Sequence, residues 1–401
     1  MSLGKSSIVA LAEFADRMYK DLQKEADKVT SLEFKTNDAK EHRLFEGIKF
    51  SNLKIFSLHG ADHQDRMPLR PYIQPKLEQL SLLGGSASDR LLKELFIDHP
   101  GSISEQGFIR FLRGSRSLKK LVAVHRMKRF ICYSVFSTIC GMTELQALEL
   151  ATPISAGFVA TLLRYWFQFG MARTFFPKLH KLDCTAESSA LAELSPYLDH
   201  LTELNAGIEH SSASSAEVED CIIQNLAEPA RCPNLRILVL YYLVEEVVYI
   251  QPQVLINLVQ RHPQLTALYI CGNIAAEGFE DPHLISMMQA LPQLKELQLE
   301  FDGHLTAIAL AEAAKVCGAK LVEFDVRASF DLQNRTGINV SFSQLESLVI
   351  GKLVPSSNSA DAMATEAIDT AKFLAELAPA VLVEAKSTNP FTDMVIENMK
   401  R

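Results

Sequence analysis

Along much of the chain the apolar positions follow one short phrase. "CPNLRILVL" (232–240), "HPQLTALYI" (262–270) and "LPQLKELQL" (291–299) each set a proline-containing turn ahead of Leu-x-x-Leu-x-apolar, and "FPKLHKLDC" (176–184) does the same. The closing alternation has the period of a strand with one buried face, so each phrase predicts a short strand entered from a turn. A different period fills the gaps. In "DPHLISMMQALPQL", Leu284, Met287, Met288 and Leu291 fall on one helical face, with Asp281 placed to cap the first turn and Pro282 at the first helical position. "QPQVLINLVQRHPQL", "EVEDCIIQNLAEPARCPNL" and "TAIALAEAAKVCGAKL" read the same way, each helix stopped by Pro or Gly before the next strand.

Marking each unit by its first leucine gives Leu53, Leu77, Leu92, Leu118, Leu145, Leu179, Leu201, Leu235, Leu265, Leu294, Leu321 and Leu345. Most intervals lie at or just beyond the roughly 20–29 residues of a leucine-rich repeat. One such unit leaves its apolar face uncovered, and stacked neighbours cover it, which is why the phrase has to recur. The expected fold is α/β: a leucine-rich-repeat solenoid, a curved right-handed β-α superhelix with a helical N-terminal cap. Residues 1–45 are expected to form that cap, 46–352 about twelve irregular units, and 353–401 a C-terminal cap of loop, helix, strand and helix.

Two features qualify the regularity. Position nine of each unit is the asparagine of stricter repeat classes, and here it is Asn only at Asn273. Within the cap, Ile8, Leu11, Ala15, Met18, Leu22 and Val29 keep helical spacing over residues 7–30. That helix reads either as a cover for the first repeat or as a coiled-coil partner of three heptads. The loop "GADHQDRMPLRPYIQP" is expected to be an ordered surface excursion.

Composition narrows the function classes. With 48% hydrophobic and 22% charged residues the chain has the make-up of a folded protein, and its net charge of -8 gives no general drive toward nucleic acid or anionic membrane. Glu13, Asp16, Arg17 and Lys20 interrupt any signal-peptide core, and Arg164 and Gln168 interrupt the longest apolar stretch, so the expected location is cytoplasmic or nuclear with no membrane span. Seven cysteines without a Cys-x-x-Cys pair fit a reduced compartment. The sequons at Asn334 and Asn339 then carry no glycan.

Catalytic signatures do not emerge. "LLGGSASD" (82–89) lacks the lysine and spacing of a phosphate-binding loop, and neither His-Glu-x-x-His nor Gly-x-Ser-x-Gly occurs. His59, His63 and His99 lie near Asp62, Asp65 and Asp98, a set that reads as solvated loop residues rather than a metal site. Cys184 and Cys317 fall on apolar positions and read as small buried hydrophobes. No enzyme activity, catalytic residue, metal or cofactor is expected.

What the pattern does offer is a surface. Alternate strand positions point to the concave face, where acidic residues outnumber basic ones. Phe96, Tyr241, Tyr269, Glu296, Glu300, Glu323 and Asp325 are the candidate partner-binding residues there, suited to a basic segment of another protein. A second feature has opposite sign. From Gln106 to Thr143 no Asp or Glu occurs, while Arg110, Arg113, Arg116, Lys119, Lys120, Arg126, Lys128 and Arg129 supply a basic patch for an acidic protein or a polyanion. Aromatic rings are not interleaved with these charges, which argues against nucleic acid.

The irregular repeats, their proline-led phrases and the ending "FLAELAPAVLVEAKSTNPFTDMVIENMKR" resemble the substrate-binding region of fungal-type F-box leucine-rich-repeat proteins over roughly residues 45–400. That resemblance implies a protein-binding module, the substrate-recognition part of a ubiquitin ligase, whose N-terminal F-box docks the adaptor Skp1. The Leu-Pro pair that opens an F-box has no counterpart in residues 1–50; Leu291-Pro292 lies inside a repeat. Skp1 is therefore a partner only if an F-box lies outside this chain: either the chain begins after the F-box, which "MSLG" read as an expression leader favours, or the protein never had one. The alternatives are a free-standing scaffold, inhibitor or chaperone, and a GTPase-activating repeat protein, for which no arginine is marked.

Overall fold

The computed structural model describes residues 23, 25–34, 48–58, 79–82, 93–97, 105–123, 131–168, 175–209, 221–333, 335, 338–356, 359–379, 381, 383–386 and 389–400. The chain falls into two compact units, Met1–Thr185 and Ala186–Arg401. Each has the leucine-rich-repeat architecture in its own right.

In the first unit, β1 (Ser31–Phe34), β2 (Ile55–Leu58), β3 (Gln79–Leu82), β4 (Glu94–Ile97), β5 (Lys120–Ala123) and β6 (Ala147–Ile154) pair in parallel in chain order. The strand β7 (Lys181–Glu187) begins at this unit's end. Parallel neighbours require a return crossing, and the helices Glu105–Gly114, Tyr133–Cys140 and Ala156–Gln168 supply three of them. The first buries Phe108, Ile109, Phe111 and Leu112 and leaves Arg110 and Arg113 exposed, as its spacing requires.

In the second unit, β8 (Glu203–Glu209), β9 (Ile237–Tyr242), β11 (Ala267–Gly272), β13 (Glu296–Leu299), β15 (Glu323–Asp331), β16 (Ser347–Leu353) and β17 (Val383–Ala385) form a parallel sheet in that order. Between them, β10 (Val248–Tyr249) pairs with β12 (Ile274–Ala275), and β14 (His304–Thr306) pairs with the far end of β15. The returns are helices Ser188–Leu194, Cys221–Leu226, Pro252–Arg261, Asp281–Ala290, Ala307–Cys317 and Ala360–Leu377, and helix Pro390–Met399 packs beside the last of these.

The repeat phrase now has a geometric meaning. Leu53, Leu118, Leu145, Leu179, Leu201, Leu235, Leu265, Leu294, Leu321 and Leu345 are all buried, and each strand begins two residues after its marker. Full burial of one leucine stabilises by about 1.5–3 kcal/mol, so a marker replaced by a small residue loosens its turn and its neighbours. Between marker and strand the backbone hands over from unit to unit. Lys295 N–H and Glu296 N–H both donate to Thr266 O, Val322 and Glu323 to Lys295 O, and Glu346 and Ser347 to Val322 O, with matching pairs earlier in the chain. The hand-over at these positions is made by the backbone, so the repeat phrase does not fix their side-chain type.

Two local readings change. The helix Asp281–Ala290 is capped by Glu280, whose carboxylate accepts from the third helical N–H while its own N–H donates to His283 Nδ1 at 3.2 Å. Asp281, expected to be the cap, is the first helical residue. Its carboxylate accepts from Thr306 N–H at 2.7 Å and from the Thr306 hydroxyl, and Thr306 caps the next helix by accepting Ile308 N–H. The second change concerns residues 1–45, read as a helical cap, which contain β1. "VTSLEF" repeats the phrase with Val29 in the leucine position, and its strand pairs in parallel with β2 as the later strands pair with their neighbours. Most of the helix expected over residues 7–30 lies outside the described residues, as do Leu77, Leu92, the loop at 60–75 and the His59, His63 and His99 set.

Candidate partner-binding face

In the second unit the strand alternation sorts side chains sharply. Leu238, Leu240, Leu268, Ile270, Leu297, Leu299, Phe324 and Val326 point into the core, and the residues between them face the other way. Parallel register aligns those outward residues in rows across the sheet. One row holds Ile237, Ala267, Glu296, Glu323 and Ser347; the next holds Val239, Tyr269, Gln298, Asp325 and Val349. Beyond them Tyr241 stands opposite Cys271.

The register sets Glu296 directly opposite Glu323, a repulsive pairing of like charges. Tyr269 relieves it. Its hydroxyl donates to a Glu296 oxygen at 2.7 Å and stands 3.4 Å from a Glu323 oxygen. Burial lifts the Tyr269 phenol well above its ordinary value, and the bond to Glu296 and the charge of Glu323 add to that, so it stays a donor. One hydrogen shared between two carboxylates leaves most of their acceptor sites without a protein donor among the described residues.

The neighbouring acids are differently placed. Glu300 accepts from Gly272 N–H at 3.1 Å and from Gln298 at 2.7 Å, and its ion pair with Arg327 is 2.5 Å long. Arg327 also approaches Asp325 Oδ1 at 3.8 Å, too far for a hydrogen bond, and Asp325 is only 5% exposed. Asp325 Oδ1 and Arg327 Nε are both buried without a hydrogen-bond partner. Burial raises the Asp325 carboxyl above its usual range, against the opposing pull of Arg327 and Lys386. Cys271, beside this group, is pushed up to about 12, chiefly by burial and then by the Glu300 charge. Such a thiol stays protonated and unreactive.

The structure therefore brings Tyr241, Tyr269, Glu296, Glu300, Glu323 and Asp325 onto one sheet face, and divides them by role. Glu300 and Asp325 are engaged with Arg327. Glu296 and Glu323 face outward and, among the described residues, share the Tyr269 hydroxyl as their hydrogen-bond donor. Phe96 belongs to β4 in the first unit, and its side chain lies outside the described residues. Sequence reasoning passed over Leu243, Val247 and Tyr249, which with Tyr241 are exposed large hydrophobics. The signal was available in "YYLVEEVVY", where apolar residues run past the end of the repeat phrase.

The basic patch is split between surfaces of the first unit. Arg110 and Arg113 are exposed on the helix Glu105–Gly114, Arg116 and Lys119 on the turn after it, and Lys120 opens β5 opposite Glu94. Arg126, Lys128 and Arg129 lie outside the described residues. Cys184 and Cys317 are buried, and the six cysteines whose side chains are described are free. Among the described residues no group of His, Cys, Asp or Glu is arranged for a metal, and no helix is long and apolar enough to cross a membrane.

Neither a protein-family model nor a curated protein sequence matches the chain. Solved structures similar to it include InlP of Listeria monocytogenes, 15% identical with a TM-score of 0.34, over 74% of this chain and 70% of that one. The yeast Rad7 and Elc1 complex gives 13% identity and 0.35 over 96% and 90%. The leucine-rich repeat-containing protein LegL7 of Legionella pneumophila gives 11% and 0.29 over 80% and 97%. Values this low add no weight to the assignment, which stands on the parallel register and the buried marker leucines.

Proposed function

We propose that the chain is a protein-interaction module whose outward sheet face in the second unit holds a basic segment of another protein. The observation that carries this reading is the pair Glu296 and Glu323, opposed across adjacent strands with one Tyr269 hydroxyl between them. A lysine or arginine side chain placed there removes the repulsion and adds charge-assisted hydrogen bonds to both carboxylates. The repeat scaffold supports the role, since its alternate positions are held rigidly by the strands and are free of core duty.

The wider role we propose is substrate recognition within a ubiquitin ligase, with Skp1 a partner only if an F-box lies outside this chain. What supports it is the likeness of the repeat phrases and the C-terminal ending to F-box leucine-rich-repeat proteins. The experiment is affinity capture from cell extract with the parent chain and with Glu296→Lys/Glu323→Lys. A partner held by the parent and lost by the folded variant supports the binding face; a partner retained by both removes it. Co-capture of Skp1 and a cullin with a protein that carries the F-box supports the ligase role, and their absence from that capture leaves a free-standing scaffold.

A further inference from the structure

The described residues include nine exposed large hydrophobics, and four of them, Tyr241, Leu243, Val247 and Tyr249, fall within nine consecutive positions. Such clustering on a surface marks contact with another molecule more often than scattered exposure does. The strip is rigid. Leu243 N–H donates to Ile208 O at 2.8 Å, Val248 N–H to Asn273 O at 3.0 Å and Ile250 N–H to Ala275 O at 2.9 Å, while the Asn273 amide holds Glu245 O. Tyr242, Val248 and Ile250 are buried beneath, so the alternation drives their neighbours outward. Glu245 and Glu246 are exposed within the same strip.

The strip begins at the outward edge of β9, where Tyr241 shares the sheet face with the Glu296 and Glu323 pair, and ends at Tyr249 in β10, which pairs with β12 apart from the main sheet. Two strand spacings and four residues separate Tyr241 from Glu296 in register, roughly 15 Å, which an extended segment covers in about five residues. We infer that this apolar strip is the second half of the recognition site: it seats an aliphatic or aromatic side chain of the partner while an arginine or lysine at least about five residues away, the distance from the strip's nearest residue Tyr241, reaches Glu296 and Glu323. The ligand class is an extended segment of another protein carrying an apolar anchor and a basic residue at that interval. Charge selects it, because Glu245 and Glu246 flank the anchor and exclude an acidic neighbour. The inference rests on the proposed binding face and adds the anchor and the spacing.

The test uses fluorescein-labelled synthetic peptides and the full chain: one with two leucines and, five residues on, two arginines; one with the leucines changed to serine; one with the arginines changed to glutamine; and one with the interval halved. Leu243→Ser/Val247→Ser alters only exposed side chains, and Glu296→Gln/Glu323→Gln reports on the other half. The leucine-arginine peptide binds the parent most tightly, loses at least about tenfold in affinity to Leu243→Ser/Val247→Ser, and loses affinity when the interval is halved. The serine peptide binds parent and Leu243→Ser/Val247→Ser alike. If the leucines or the interval make no difference while the arginines do, the inference falls and the basic-segment reading stands. Leucine-dependent binding indifferent to the arginines and to Glu296→Gln/Glu323→Gln overturns the basic-segment reading and the two-part motif together, as does no binding by any peptide. Self-association of the chain that Leu243→Ser/Val247→Ser abolishes assigns the strip to a second copy and also overturns the inference.

Discussion

The hydroxyl of Tyr269 reaches across one strand to donate to Glu296 at 2.7 Å and stands 3.4 Å from Glu323 on the strand beyond. A single proton thereby holds two carboxylates that the sheet register forces together. Tyr269→Phe keeps the ring and removes that proton, and is expected to cost about 1 kcal/mol, the scale of one hydrogen bond to a charged group that retains some access to water. In Glu323→Gln the repulsion is already gone, so the same substitution costs less there. Urea denaturation of the four chains of that cycle measures the coupling; equal costs in both backgrounds contradict the bridging role.

Arg327 is the counter-charge for the rest of the face. It pairs with Glu300 and approaches Asp325, with its side chain 35% exposed. Arg327→Met leaves two largely buried carboxylates without a cation and is expected to destabilise by about 2 kcal/mol, less than for a fully buried pair because water still reaches the arginine. Thermal unfolding at low and high salt checks this, with the larger loss at low salt.

Gly272 closes β11 with φ of +111° and donates its N–H to Glu300. A Cβ at this position meets Tyr242 backbone oxygen and nitrogen, and the backbone conformation itself is one that other residues rarely adopt. Gly272→Ala is expected to cost about 2 kcal/mol or more and to shift the Glu300 and Arg327 pair, read as a lowered denaturation midpoint.

His262 sits at the end of the helix Pro252–Arg261, buried, with Nε2 3.0 Å from Leu226 O. Burial depresses its basicity below the usual value, the bond to Leu226 opposing in part. Between that depressed value and the roughly 6.5 of an unfolded histidine, the unfolded chain binds the extra proton. Stability is therefore greatest above that range and falls as pH drops through it. His262→Gln is expected to be less stable at neutral pH and to show a flatter slope on acidification, measured by denaturant midpoints from about pH 7.5 to about pH 5.5.

Asp325 has the opposite sign. Its folded value lies above that of an unfolded aspartate, so the folded chain holds the proton more tightly, and stability falls as pH rises through the interval between them. At neutral pH the buried carboxylate is a net cost. Asp325→Asn is expected to be at least as stable as the parent at neutral pH and to lose that part of the acid-side dependence; a clear loss of stability at neutral pH contradicts the assignment.

How much of this was legible follows from what each position does. The marker leucines were readable because burial of the same side chain at the same place in each unit leaves a periodic trace, as Leu235, Leu265, Leu294 and Leu321 show. The outward rows followed from strand alternation alone. β1 was missed because Val29 replaces the leucine that marked the other units, although Leu32 within it is buried like its counterparts. The division between engaged and outward-facing acids was not legible. The attachment of Arg327 to Glu300 depends on the register of β13 against β15, which no linear spacing encodes. The cap on helix Asp281–Ala290 slipped by one residue because Glu280 and Asp281 are adjacent acids, and only the position of Thr306 decides which of them faces the helix.

Carboxyl footprinting by mass spectrometry tests the central claim most directly. The chain is labelled with a carbodiimide and an amine, alone and with the partner retained in affinity capture. The account predicts that Glu296 and Glu323 lose reactivity when the partner is bound, while Glu312 and Glu397, on helices behind the sheet, do not. Unchanged labelling of Glu296 and Glu323 in a saturated complex would contradict it.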